Sequence, residues 1–81
     1  MKMTDIRKKV EEIIYSVGME VKEDLSDQLD SLSFVTIIVE IEQAFGIEVP
    51  DDRLDFTELN TISGFTSLVQ QLLNQENPIS T

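Results

Sequence analysis

Apolar residues recur along this chain at helical rather than strand spacing. Ile6, Val10, Ile13, Ile14 and Val17 fall at i, i+4, i+7, i+8 and i+11, the stripe of an amphipathic helix. Thr4 is an N-cap candidate, Asp5 suits a first turn and Gly18 suits the position just past a helix end, so a helix is predicted over 4–17. Lys8 can pair with Glu11 or Glu12 on its wet face. From Met19 to Asp30 the pattern dissolves. Leu25 and Leu29 stand alone among acids, as in a long loop pinned to the core at two points. Periodicity resumes from Leu32 to Phe45, with Gly46 as its stop, giving a second helix over 31–45. At about 100° per residue its apolar positions split into two groups. Phe34, Ile37, Ile38, Ile41 and Phe45 form a core face. Leu32, Val35 and Val39 form a second cluster on the opposite side, expected to stay exposed. Pro50 holds Val49 extended. Leu54, Phe56 and Leu59 suggest a short helix over 54–60. Thr61 then caps a third long helix over 61–74, carried by Ile62, Phe65, Leu68, Val69, Leu72 and Leu73, with Gly64 weakening its first turn slightly. Residues 75–81 read as a polar tail. The periodicity predicts an all-α bundle, which a sheet, or a continuous helix through 19–29, would contradict.

Length and composition bound what this fold can do. Eighty-one residues make a single domain, 1–81, with an ordered part over about 4–74. A chain of this size buries roughly 60–65% of its unfolded surface, enough for one modest core and little for a catalytic cleft. A hydrophobic content of 41% separates it from disordered acidic tails. There is no Cys and no His, hence no disulfide, no thiolate metal site, no thiol nucleophile and no side chain that ordinarily titrates near neutral pH. The start of the sequence shows no apolar signal core and no run spans a bilayer, so a cytoplasmic, monomeric, non-enzymatic protein is expected.

The net charge of -10 is concentrated. Residues 23–58 hold eleven acids and one base, Arg53; the remainder holds five of each. Such a surface repels nucleic acid and anionic membranes and favours basic protein partners, although acidity also serves plain solubility. Neither Asp24–Leu29 nor Asp51–Phe56 has the alternating oxygen ligands and sixth-position Gly of an EF-hand, and no metal site is assigned.

Attention therefore falls on Asp30-Ser31-Leu32, where the acidic lead-in meets the second helix. The plain role of Ser31 is to cap that helix. A helix N-terminus also offers free N–H groups and partial positive charge, which favour a phosphate bound or attached there.

Asp30-Ser31-Leu32, followed by Val35, Ile41, Glu42, Phe45, Ile47 and Val49, and by Leu59-Asn60-Thr61-Ile62, resembles the acyl carrier protein family over about Ile6 to Leu73. The resemblance implies a small antiparallel bundle of three long helices and one short one. It implies that Ser31 carries a 4′-phosphopantetheine arm taken from coenzyme A, on which acyl groups ride as thioesters. Asp30 and Leu32 would flank the attachment point. The partners implied are a phosphopantetheinyl transferase and acyl-loading and acyl-transfer enzymes with basic docking surfaces, met by Val35, Val39, Glu40 and Glu42. A chain without a thiol agrees with this, since the thiol would arrive with the arm.

Four residues depart from the family pattern. Gln28 stands where Gly is frequent, Leu29 where a small residue is, and Thr36 and Gln43 where acids are. They favour a specialised pathway, such as polyketide, lipopeptide or aminoacyl assembly, over housekeeping fatty-acid synthesis. An aminoacyl or peptidyl carrier, including a D-alanyl carrier, is the alternative within the family. Outside it stand an unmodified acidic interaction domain and a divalent-cation-binding protein.

Overall fold

Three helices form where the apolar periodicity runs: α1 (Met3–Ser16), α2 (Ser31–Phe45) and α3 (Ile62–Glu76). They are seen in a computed structural model that describes residues 2–76. Among the described residues there is no strand, only one isolated antiparallel bridge between Asp24 and Thr61. The all-helical bundle expected from periodicity is the observed architecture. The tail expected over 75–81 lies outside the described residues from 77 onward, and α3 runs on to Glu76.

Helix ends follow local chemistry, with two corrections. Thr4 does not cap α1. The Ile6 N–H already donates to the Lys2 carbonyl at 3.0 Å, so the ladder starts earlier, and Lys2 occupies the cap without a side-chain bond. At the other end Gly18 adopts φ 87°, the Met19 N–H reaches back to the Ile14 carbonyl and the Gly18 N–H to that of Tyr15. This paired closure needs a left-handed residue, which glycine supplies without a Cβ clash.

The second correction concerns the short helix expected over 54–60. The structure instead has a 3₁₀ turn at Asp51–Arg53. The Asp55 carboxylate accepts the N–H and hydroxyl of Thr57, at 3.0 and 2.6 Å. Its carbonyl accepts the N–H groups of Glu58 and Leu59. This side-chain turn closes one loop of backbone and competes with helix propagation. The Asn60 carbonyl is then taken by the Leu25 N–H at 2.9 Å, which ends the turn.

Leu25, fully buried, and Leu29, partly buried, anchor the 17–30 loop as expected. Gln28 adds a tie that its spacing does not announce. Its side-chain amide makes two bonds to the Glu20 backbone, accepting at 3.0 Å and donating at 2.8 Å. A glycine there could make neither.

Ile6, Val10 and Ile14 of α1, Ile37 and Ile41 of α2, and Ile62, Phe65 and Val69 of α3 are essentially inaccessible. These are the stripes read from the sequence, and burying each such side chain is worth about 1.5–3 kcal/mol against leaving it exposed. Thr61 caps α3 as expected, accepting the Gly64 N–H at 2.9 Å. Gly64 is required rather than tolerated: a Cβ there would lie 2.8 Å from the Glu58 carbonyl oxygen and 3.1 Å from Thr61 Oγ1.

Candidate functional site

The N-terminus of α2 is built by Asp30, not by Ser31. The Asp30 carboxylate accepts the Ser33 N–H at 2.8 Å, which makes Asp30 the N-cap and Ser31 the first helical residue. The expectation that Ser31 caps the helix is corrected accordingly. Asp30 takes the cap because its side chain lies three residues before a free N–H, and aspartate is among the best residues for that bond. Hydrogen bonding from Ser33, backbone first, holds the Asp30 carboxyl below the usual carboxylate range, so it carries full charge at neutral pH.

Ser31 is exposed, and no hydrogen bond of its hydroxyl is found among the described residues. A hydroxyl released from capping, at the positive end of a 15-residue helix, is accessible to a modifying enzyme. Leu32 beside it is 77% exposed, and Val35 and Val39 one and two turns further on are 56% and 42% exposed. The opposite face of α2 buries Phe34, Ile37, Ile38 and Ile41, with Phe45 partly buried against the core. The two apolar faces of this helix thus have different fates.

The acids read with the exposed stripe separate. The Glu42 carboxylate accepts the Val49 N–H at 2.9 Å and fastens the segment after α2, a structural role that its sequence position did not signal. Glu40 lines a cleft with Lys9, Glu12, Ile13, Ser16 and Ala44, so it borders α1 rather than the stripe. The Thr36 hydroxyl turns back to the Leu32 carbonyl at 2.9 Å.

Two further features involve the loop before α2. Arg7 of α1 contacts Glu23 at 2.8 Å and donates to the Ser63 hydroxyl at 3.2 Å, and Glu23 also accepts the Ser63 N–H. Hydrogen bonding from Ser63, and then from Arg7, lowers the Glu23 carboxyl, and the trio ties α1, the long loop and the start of α3 together. A cavity of about 240 Å³ opens between Ser26 and Leu29 on the loop and Phe56, Thr57 and Asn60 on the later turn. The Phe56 ring stands edge-on to Phe34, centroids 5.3 Å apart, and Phe34 in turn lies 6.2 Å from Phe65. Sequence reasoning missed this cavity, because a lone Phe in an acidic turn carries no periodic signal.

Among the described residues no group of three or more acidic side chains is gathered to hold a metal ion, and no helix is long and apolar enough to cross a membrane.

Comparison with known proteins gives this chain a family. The family described as the phosphopantetheine attachment site matches residues 4–69. The chain is 39% identical over 64 residues to an acyl carrier protein of Rickettsia bellii, covering 79% of this chain and 72% of that protein. It is 35% identical over 77 residues to a D-alanyl carrier protein of Streptococcus sanguinis, covering 86% and 98% respectively. A meromycolate extension acyl carrier protein of Mycolicibacterium aurum is 38% identical over 50 residues, 62% of this chain and 48% of that one. No solved structure matches.

Proposed function

Because the chain belongs to the acyl carrier protein family, whose prosthetic group is 4′-phosphopantetheine, we propose that Ser31 is the attachment residue and that the protein presents acyl or aminoacyl groups to separate enzymes in the cytoplasm. The observation that carries this is the division of labour at the start of α2. Asp30 caps the helix and leaves the neighbouring Ser31 hydroxyl exposed and uncommitted.

The residues present fit the group. Ser31 supplies an oxygen for a phosphodiester, and the helix N-terminus favours the negative charge that the phosphate brings. When bound, the arm supplies the thiol that the 81 residues lack, so that cargo is held as a thioester. Ser31 is an acceptor and not an activated nucleophile. The chain has no His, and Lys22, on the loop before α2, is engaged by Asp27 at 2.8 Å and by Glu20. Deprotonation of Ser31 therefore falls to the transferase. Asp30 orients the acceptor by fixing the cap, and its charge is available to basic or metal-bearing groups of that enzyme.

Leu32, Val35 and Val39 form the proposed docking stripe, with Asp30 and Glu42 on its border. Glu40, which the sequence places with them, borders α1 as well. A fatty-acid or polyketide pathway is the first setting proposed. The D-alanyl carrier alternative stays beside it on one specific observation, the match that spans 98% of that protein. Incubation with coenzyme A, Mg²⁺ and a phosphopantetheinyl transferase, read by intact mass, tests the reading. The wild type gains one arm and Ser31→Ala gains none. A wild type that stays unmodified, or a Ser31→Ala protein that gains the arm, contradicts it.

A further inference from the structure

The residues that lead into Ser31 are each held by a different partner. Asp30 is fixed by the Ser33 N–H. Leu29 packs against the core, and its N–H donates to the Leu25 carbonyl at 3.0 Å. Gln28 reaches further back. Its side-chain oxygen accepts the Glu20 N–H at 3.0 Å, and its side-chain N–H donates to the Glu20 carbonyl at 2.8 Å. Two bonds to one residue fix orientation as well as distance, as in a hydrogen-bonded pair of antiparallel strands. The tie joins the start of the loop before α2 to its end, eight residues on. The middle of that loop is secured independently. Leu25 is fully buried, its N–H donates to the Asn60 carbonyl at 2.9 Å, and the Ile62 N–H donates to the Glu23 carbonyl at 3.0 Å. Losing the Gln28 side chain therefore leaves the fold and the loop's middle in place and loosens the segment that delivers Ser31. The Lys22–Asp27 ion pair, at 2.8 Å, spans nearly the same gap. Both of its side chains are well exposed, and such pairs add little and are screened by salt. The Gln28 amide carries no charge and keeps its hold in salt.

We propose that Gln28 is a positioning residue for loading: by clamping the Glu20 backbone it keeps Leu29, Asp30 and Ser31 in the arrangement that a phosphopantetheinyl transferase binds. The proposal rests on the reading of Ser31 as the arm's anchor. Gln28 acts through the backbone and takes no part in the transfer itself. A carrier whose competent arrangement is only partly populated binds with an apparent affinity reduced by that fraction, while the chemistry inside the complex is unaffected. Loss of the tie thus raises KM for the carrier and spares kcat.

The test compares the full-length wild type, Gln28→Ala and Gln28→Glu, with coenzyme A, Mg²⁺ and each of two transferases of different sequence. Gln28→Glu keeps an acceptor for the Glu20 N–H and loses the donor to its carbonyl. Intact mass first reports whether the wild type takes the arm. If it does not, the carrier reading fails, whereas the positioning claim is read only on the rates of a wild type that loads. Hydrogen exchange on the unmodified proteins reads the tie itself. The Glu20 N–H should exchange faster in Gln28→Ala, with the Leu25 and Ser33 N–H groups as protected as in the wild type. KM for the carrier should rise several-fold in Gln28→Ala and less in Gln28→Glu, with kcat unchanged. The rise should persist at high salt. Its factor should be the same with both transferases, because the carrier's own populations set it. A KM equal to that of the wild type, a loss confined to kcat, or a factor that differs between the transferases overturns the proposal. So does a Glu20 N–H whose exchange Gln28→Ala leaves unchanged, or a loss of protection that extends to Leu25, which would make Gln28 a residue of the fold.

Discussion

At the residue scale, neighbouring side chains at the start of α2 divide structure from chemistry. Asp30→Ala removes an acceptor from the Ser33 N–H and should lower the melting temperature. Ser31→Ala removes no cap and should leave it almost unchanged while abolishing loading; thermal unfolding and intact mass on the same two proteins check both. Gly64 behaves oppositely to its propensity. Ala is favoured over Gly inside helices by about 1 kcal/mol. Here the added Cβ would meet a backbone carbonyl oxygen at 2.8 Å, which cannot swing aside as a side chain would. Gly64→Ala should therefore destabilise, by about 1–3 kcal/mol as for other overpacked sites, measured by denaturant unfolding. Glu23 provides the pH-dependent case. Its folded pKa is depressed, so its contribution is present above the unfolded value and is lost as pH falls through the folded one. Glu23→Gln should flatten the fall in melting temperature below about pH 4 and lower stability at neutral pH. An acid limb identical in both proteins would remove Glu23 from the clamp.

At the element scale, α2 carries the central contrast, and here the sequence was most informative. A 100° rotation per residue separates Phe34, Ile37, Ile38 and Ile41 from Leu32, Val35 and Val39, and the exposures divide along that line. Ile41→Asp places an unpaired charge at a fully buried position and should unfold the domain, since even truncating such a residue to Ala costs about 2–5 kcal/mol. Val39→Asp should leave the melting temperature nearly unchanged while slowing transfer to partner enzymes. Two equally destabilised proteins would put the stripe in the core. What the sequence did not reveal were contacts set by tertiary geometry or by competing local bonds. The Glu42 bond to Val49, the Gln28 tie to Glu20, the Asp55 turn in place of a short helix and the cap at Asp30 are each a polar side chain choosing a backbone partner. Periodicity registers apolar faces and is silent about such choices. Glu42 now needs two substitutions to be understood. Glu42→Gln keeps an acceptor for the Val49 N–H and removes charge, so it should preserve stability and weaken any steering. Glu42→Lys loses both.

At the scale of the whole molecule, a small bundle with a net charge of -10 displays the Leu32–Val35–Val39 stripe on the helix that begins with the exposed Ser31. Its acids cluster between residues 23 and 58, and long-range attraction to a basic enzyme surface is screened over about 8 Å at physiological ionic strength. The loading rate should accordingly fall as salt is added, more steeply for the wild type than for Glu42→Gln. The central claim precedes any question of cargo or pathway: the chain is a carrier through Ser31. Intact-mass measurement of wild type and Ser31→Ala after exposure to coenzyme A, Mg²⁺ and a phosphopantetheinyl transferase tests it most directly. One 4′-phosphopantetheine added to the wild type and none to a folded Ser31→Ala protein is the predicted result. An unmodified wild type, or an arm on the Ser31→Ala protein, would contradict it.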